Sequence, residues 1–265
     1  MEPTARAPVT VAVVIPVKDD ATPLARCLRD LGRQSRRADR VIVVDNGSAD
    51  ESRSVAVRAG AVVLAELRPG IPVVAATGYD AVTEELILRI DADTRLPPDW
   101  IERVVDAFRD PRLGALSGPG RFYDLPAPLR RLSRPFSALY LGAYVVACGV
   151  ALGHAPLFGS NLGMRSSAWR SVREDVHRLD PEVHDDLDLS VHLGTRTRLR
   201  FSPGLVVGIS ARPFFDRVAL ARRFRRGLHT IVLHWPDELP PYRLSRALRR
   251  RRGSARAHPR EPAGE

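Results

Sequence analysis

Two short acidic runs in this chain hold residue types able to do chemistry. The first is Asp91-Ala92-Asp93, within LRIDADTRLPPDW (residues 88–100), where an apolar run ends in two carboxylates one residue apart. Carboxylates at that spacing can share a hard divalent cation such as Mg2+ or Mn2+, which takes oxygen ligands and keeps substrate phosphates in its shell. Such an ion serves a departing diphosphate as Lewis acid and template. A polar turn with a salt bridge to Arg89 or Arg95 would use the same residues, and the triplet alone leaves both readings open. The second run is HDDLDLS (residues 184–190), with Asp185, Asp186 and Asp188 at the start of a predicted helix. The helix dipole favours acids there, but it does not account for three of them beside a histidine. Crowded like charges raise a carboxylate pKa and make one a plausible proton acceptor.

The elements around these runs alternate. Thr10–Val17 is a β-branched run that reads as a buried strand, and Leu24, Leu28 and Leu31 recur at helical spacing before Gly32. Arg40–Asp45 is a second buried strand. Ser48 with Glu51 forms a capping box, so a helix is expected from Ser48 to about Gly60. Ala61–Ala65 is a third strand, Ile71–Val82 a helix with Pro72 in its first turn, and Leu86–Ile90 a fourth strand. Pro98–Phe108 is a helix with Ile101, Val104, Val105 and Phe108 on one face. Short strands alternating with helices imply a mostly parallel sheet covered on both faces, with ligands bound outside the C-terminal strand ends. Asp45 and Asp91 both fall just past strand ends and should share one rim.

The second half is less regular. Leu113–Ser117 is a candidate strand, and residues 118–135 read as loop. Pro135 to Met164 contains no Asp, Glu, Lys or Arg. Its glycines, His154 and Pro156 argue for a buried helix over a membrane span, with an interfacial helix as the third option. Ser166 or Ser167 should cap a short helix around Trp169, and Asp185–Leu193 should be a helix ended by Gly194. Arg198–Phe201 and Leu205–Ile209 read as strands and Asp216–His234 as a basic helix. The expected organisation is a tail over residues 1–8 and one domain over 9–235. That domain has a nucleotide-binding half at about 9–117 and an acceptor-side half at about 118–235. A basic, disordered tail follows over 236–265.

Composition excludes several classes. The chain has 265 residues, 44% hydrophobic and 27% charged, as for a soluble globule. Two cysteines, Cys27 and Cys148, make neither a disulfide framework nor a metal cluster and suit a reducing cytosol. The start, MEPTARAPVT, lacks the apolar core of a signal peptide, so no export is expected. The net charge of +10 is concentrated at the end: from Arg222 onward twelve arginines face four acids. Without interleaved aromatics or a nucleic-acid motif, no nucleic-acid partner is expected. An anionic membrane surface suits the basic helix and tail better.

The order VIPVKDD, VVDNGSADES, LRIDADTRLPPDW, FGSNLGMRSSAW and HDDLDLSVHL resembles glycosyltransferase family 2 with the GT-A fold. The resemblance covers about Val9 to Trp235. It implies inverting transfer of a sugar from a nucleotide donor (a UDP-, GDP- or TDP-sugar) to an acceptor hydroxyl, with Mg2+ or Mn2+. By similarity, Pro16 and Asp20 would line the nucleotide pocket, and Asp45 and Asn46 would contact base or ribose. Asp91 would approach the ribose or ion, and Asp93 would bind the metal. Phe158–Met164 would form the floor beneath donor sugar and acceptor, and Asp186 would be the base. Arg222, Arg223, Arg225 or Arg226 would clamp the diphosphate. The resemblance also implies an α/β, GT-A-like and Rossmann-like fold with a smaller mixed acceptor-side region.

Departures from the family pattern are visible. Lys18-Asp19-Asp20 stands where Asn-Glu is frequent, and Val74-Ala75-Ala76-Thr77-Gly78 lacks the arginine of Ala-Arg-Asn. The acid pair is Asp-Asp rather than Glu-Asp. The Gln/Arg-X-X-Arg-Trp signature of processive synthases is absent, since Ile231–Trp235 reads IVLHW; single addition is therefore expected. Given the oxygen-rich site, His154, His184 and His192 are expected to be structural or to support the site from behind rather than to be metal ligands, and Trp100 and Trp169 to be core rather than sugar platforms. A phosphatase of haloacid-dehalogenase type also uses Asp-X-Asp at a strand end, but wants Thr or Val where Arg95 stands. A non-catalytic membrane-surface module is the other alternative. The expected location is cytoplasmic and peripheral on the inner face of the membrane, facing a lipid-linked or membrane-proximal acceptor.

Overall fold

A computed structural model describes residues 9–234, apart from positions scattered between 134 and 151. The terminal segments 1–8 and 235–265, and with them the expected tails, lie outside the described residues, as does Cys148.

A seven-stranded sheet in the order β3-β2-β1-β4-β7-β5-β8 forms the frame. Its first half is β1 (Val11–Val17), β2 (Arg40–Asp45), β3 (Val62–Ala65) and β4 (Leu86–Arg89), all mutually parallel. Buried β-branched runs suit parallel strands covered on both faces. The pleat deals side chains alternately: Val11, Val13, Ile15, Leu86 and Leu88 enter one core, and Ala12, Val14 and Ile87 the other. Burying a Val, Leu or Ile side chain contributes about 1.5–3 kcal/mol, so this alternation fixes the register.

Helix α1 (Ala21–Leu31) turns Leu24, Cys27, Leu28 and Leu31 to the first core, as the helical spacing required. It is joined there by Ala56 of α2 (Ser52–Arg58) and by Trp100, Ile101, Val104 and Val105 of α4 (Trp100–Ala107). The opposite face is covered by α3 (Ile71–Asp80), α5 (Ser166–Val172) and α6 (Asp185–Arg196). Trp100 and Trp169 are core, with indole N–H groups on Asn161 Oδ1 and Asp80 Oδ1 at 2.9 and 2.8 Å.

The second half completes the sheet with β5 (Leu113–Ser117), β7 (Leu162–Arg165) and β8 (Arg198–Phe201). A two-stranded sheet joins β6 (Gly120–Phe122) to β9 (Val207–Ile209). Two short strands escape the sequence reading: β6, inside the expected loop, and β7, which is antiparallel to both β4 and β5. Leu-Gly-Met-Arg has no strand signal of its own, and pairing on both sides makes it one.

Other boundaries shift for identifiable reasons. Helix α2 starts at Ser52 rather than Ser48, because Ser48 and Asp50 spend their side chains on the loop after β1. Helix α6 runs through Gly194 to Arg196. That glycine does not end the helix but makes room for His154, whose Nε2 would stand 1.9 Å from an added Cβ. The basic helix expected over Asp216–His234 is α8 (Arg217–Leu233), preceded by a short helix the sequence reading lacked, α7 (Arg212–Phe215). The uncharged segment is helical at its described positions between 135 and 152; Ser137 and Leu152 are buried, while Leu139 and Val146 are exposed, so burial is partial. Among the described residues no helix is long and apolar enough to cross a membrane.

Candidate active site

The strand order reverses at β1, with β2 on one side and β4 on the other, which opens a crevice at their C-terminal ends. Four side-chain hydrogen bonds tie the loops after β1 and β2 across this rim. Ser48 Oγ accepts from Asp19 N–H (3.0 Å) and Ser52 Oγ from Asp20 N–H (3.1 Å). Asp50 Oδ2 accepts from Ala21 N–H (2.9 Å) and Asp19 Oδ1 from Ala49 N–H (2.7 Å). Asp19 adopts φ +50°, which lets the chain turn there. Pro16 lies in β1 opposite Val44. Asp45 closes β2, nearly buried, with Oδ1 accepting from Ser48 N–H at 3.2 Å. Asn46 donates its amide to the carbonyls of Glu66 and Arg68, at 2.6 and 2.8 Å, anchoring the loop after β3.

The Asp91–Thr94 turn is closed on itself. Thr94 N–H donates to the Asp91 carbonyl (3.0 Å), and Thr94 Oγ1 accepts from Asp91 N–H (3.2 Å). Of the two arginines the sequence offered as partners, Arg95 pairs with Asp30 instead, at 2.9 Å. Arg89 is the one that serves. Its guanidinium lies buried at the end of β4, with Nη2 at 3.4 Å from Asp91 Oδ1 and Nη1 on Asp185. Gly159 makes this possible, because a Cβ there would stand 2.5 Å from the guanidinium carbon. One buried cation thus joins the two acidic runs.

Asp93 and Asp20 share a second cation. Arg212 donates from Nη1 and Nη2 to the two oxygens of Asp20 (3.0 and 2.9 Å), and from Nη2 to Asp93 Oδ2 at 2.9 Å. Asp124 holds the approach to Arg212, accepting from Ser210 Oγ at 2.5 Å and Ala211 N–H at 2.6 Å. Tyr123 donates its hydroxyl to the Asp93 carbonyl at 2.9 Å.

At the start of α6, Asp186 is buried. Its Oδ2 accepts from Gly159 N–H at 3.0 Å, and its Oδ1 lies 2.5 Å from His184 Nδ1. Burial alone would raise the Asp186 carboxyl. His184, the Gly159 N–H and Arg89 together outweigh it and hold the group below the usual carboxylate range. Burial likewise opposes protonation of His184, but Asp186 and Asp185 raise its pKa above the ordinary value. Each group therefore favours the charged form of the other.

Asp91 shows the opposite behaviour. Withdrawal from bulk water pushes its carboxyl up to about 6; Arg89 opposes this, while Asp93, Asp185 and Asp186 reinforce it. With 43% of the side chain's surface open at the rim, a cation can still reach it. An all-oxygen donor set of two carboxylates fits Mg2+ or Mn2+. Among the described residues no third protein ligand joins Asp91 and Asp93, so diphosphate oxygens and water would complete the shell.

The structure therefore brings Asp20, Asp91, Asp93, Asp185 and Asp186 to one crevice. Arg222 and Arg223 lie exposed on α8, with Arg223 near enough to bear on the charge of His184. Arg225 and Arg226 face Glu182, at contact and at 3.9 Å. Arg212 went unrecognised in the sequence, while Arg89 was named there only as a salt-bridge partner in a polar turn and His184 only as a structural neighbour of the acids. The signal for Arg89 was a charged residue inside an otherwise apolar strand directly before the acids; Arg212 gave none, being placed by contacts 119 and 192 residues away.

The model of the family described as Glycosyl transferase family 2 matches residues 12–165, more than half of the chain. An N-acetylglucosaminyltransferase of Rhizobium leguminosarum bv. viciae is 32% identical over 119 residues, covering 41% of this chain and 28% of that protein. An undecaprenyl-phosphate 4-deoxy-4-formamido-L-arabinose transferase of Edwardsiella ictaluri (strain 93-146) is 32% identical over 111 residues, covering 37% and 33%. The matched regions thus span a third or less of these relatives' length. Among solved structures, a mannosyltransferase from Pyrobaculum calidifontis in complex with GDP-Man and Mn2+ superposes with a TM-score of 0.60 at 20% identity, covering 94% of this chain and 76% of that one. Glucosyl-3-phosphoglycerate synthase from Mycobacterium tuberculosis, with Mn2+ and UDP-glucose, gives 0.57 at 17% identity, covering 85% and 79%. The crevice with its two acidic runs, the sheet order and the family match agree: this chain belongs to glycosyl transferase family 2 and has the GT-A fold.

Proposed function

We propose that the protein is an inverting, metal-dependent glycosyltransferase that adds single sugars from a nucleotide-sugar donor to an acceptor hydroxyl. The observation that carries this reading is Arg89, which unites the Asp-Ala-Asp turn and the acid pair in one crevice. Asp91 and Asp93 would hold Mg2+ or Mn2+, which when bound neutralises the leaving diphosphate. Asp20, Asp45 and Asn46 line the rim where base and ribose would lie. Arg212, already bridging Asp20 and Asp93, is set to exchange those carboxylates for diphosphate oxygens. Asp186 is anionic and fixed by the Gly159 N–H, ready to take the acceptor proton as its oxygen attacks the anomeric carbon from the face opposite the diphosphate. His184, ion-paired with Asp186, limits how basic that carboxylate becomes. Nothing in the site favours the phosphatase alternative.

The acceptor proposed is lipid-linked. An undecaprenyl-phosphate transferase is among the relatives, and α8 exposes Val218, Phe224, Leu228 and Val232 beside Arg217, Arg222, Arg223 and Arg225. Arginines beside exposed apolar side chains suit an anionic membrane surface, consistent with a peripheral location on the cytoplasmic face. Calorimetric titration with UDP, GDP and TDP and their sugars, with Mn2+ and with chelator, tests the donor site. Binding of one nucleotide that needs the metal and is lost in Asp93→Ala supports the proposal; no binding under any condition ends it. Flotation with anionic vesicles, comparing the full chain with a form ending at Trp235, tests the membrane. Equal, negligible binding of both ends that part.

A further inference from the structure

A second cluster of metal-binding side chains gathers around Asp188 of α6, away from the crevice. Asp188 is buried one turn into the helix, and its Oδ1 is approached by three imidazole nitrogens. These are His177 Nδ1 at 2.8 Å, His234 Nε2 at 2.9 Å and His192 Nε2 at 3.5 Å. The other oxygen, Oδ2, already accepts from the backbone N–H of His177 at 2.9 Å. A carboxylate oxygen offers two lone pairs, so two imidazoles satisfy Oδ1 and the third is surplus. His192 Nε2 is that third nitrogen, buried and without a hydrogen-bond partner. An orphaned buried nitrogen is costly unless something binds it.

All four ligating atoms lie within 4.8 Å of one another, and the three rings stand 5.1–5.7 Å apart. The geometry points to a structural divalent-metal site, with Zn2+ as the ion, formed by His177, Asp188, His192 and His234. Three imidazoles and one carboxylate are a four-coordinate donor set suited to Zn2+ and foreign to Mg2+. Ligands about 2.0–2.1 Å from a tetrahedral ion stand about 3.3 Å from each other. His192 and Asp188 already have that spacing, and the two shorter contacts need to open by about half an ångström. An ion at this point satisfies every nitrogen that one carboxylate oxygen cannot.

The four ligands come from three parts of the chain: the loop after α5, helix α6, and the residue following α8. The ion therefore staples the basic helix and that loop to α6, the helix whose first turn holds Asp185 and Asp186. The sequence reading of His192 as structural rested on the oxygen-rich site at Asp91 and Asp93; this is a different site with different chemistry.

The test uses the full chain, stripped with chelator and titrated with Zn2+ alone, beside His192→Gln, His234→Gln and Asp93→Ala. The expected result is one tight equivalent in the unaltered protein and in Asp93→Ala, with affinity reduced at least a hundredfold in both histidine variants. Co2+ replacement should give the intense visible absorption of a four-coordinate ion in the unaltered protein and not in His192→Gln. Circular dichroism of the stripped proteins checks that each variant folds. His192 and His234 lie on different elements, so a folding failure in one leaves the other informative. Absence of tight Zn2+ binding overturns the proposal, as does binding that persists in both histidine variants or disappears in Asp93→Ala.

Discussion

Replacing Arg89 by Met should remove the electrostatic tie between the two acidic runs while keeping much of the side-chain volume. The Arg89 side chain is 4% exposed and its partner on Asp185 is 16% exposed, so that pair is desolvated, whereas Asp91 is 43% open. Breaking a buried pair by deleting one partner costs about 3–5 kcal/mol, and the openness of Asp91 argues for the lower end. A loss of about 3 kcal/mol in a domain of this size lowers the melting temperature by about 6–12 °C. The pH dependence distinguishes charge from packing. Asp91 has a folded pKa of about 6 against an ordinary value of 3.8. Within that window the folded state binds more protons than the unfolded chain, so stability falls as pH rises. Without Arg89 the carboxyl climbs further and the penalty extends upward. The variant should therefore lose more at about pH 8 than at about pH 5, read as urea midpoints at both values. A loss of equal size at the two pH values would refute the electrostatic account, and an unchanged midpoint would refute the tie itself.

Three further outcomes follow from the site. Asp186→Asn should lower kcat by about a hundred- to ten-thousandfold, the range for removing a general base, with nucleotide affinity by calorimetry unchanged. Arg212→Ala, at a side chain 55% exposed, should cost no more than about 1 kcal/mol of stability, the range of exposed ion pairs. It should weaken nucleoside-diphosphate binding about ten- to a hundredfold through its charge-assisted hydrogen bonds. His184→Gln should be pH-dependent. The His184 pKa is raised above its ordinary 6.5, so the stability it contributes is full below that value and is lost as pH rises through the folded pKa. The depressed Asp186 carboxyl contributes above 3.8 and loses its part as pH falls through its folded value. The variant's deficit in urea midpoint should therefore be largest between these limits and vanish at alkaline pH.

What the sequence determined by itself was local. The runs TVAVVIPV, RVIVVD and LILRI state their strands through β-branched and apolar composition, and Leu24, Leu28 and Leu31 state a helix face through spacing. Strands alternating with helices then oblige Asp45 and Asp91 to share a rim, because parallel connections return every strand end to the same side. The motif order was also sufficient to indicate the family. Tertiary structure decided which charges meet. The capping box at Ser48 was locally sound, yet Ser48 and Asp50 are drawn to Asp19 and Ala21 across the rim, so α2 begins later. Strand β7 exists because β4 and β5 flank it, not because its residues prefer extension. Arg89 reaches Asp185 over a separation of 96 residues and Arg212 reaches Asp20 over 192. His177, His192 and His234 converge on Asp188 from three elements. Such pairings depend on sheet order and helix docking, which no window of local sequence contains.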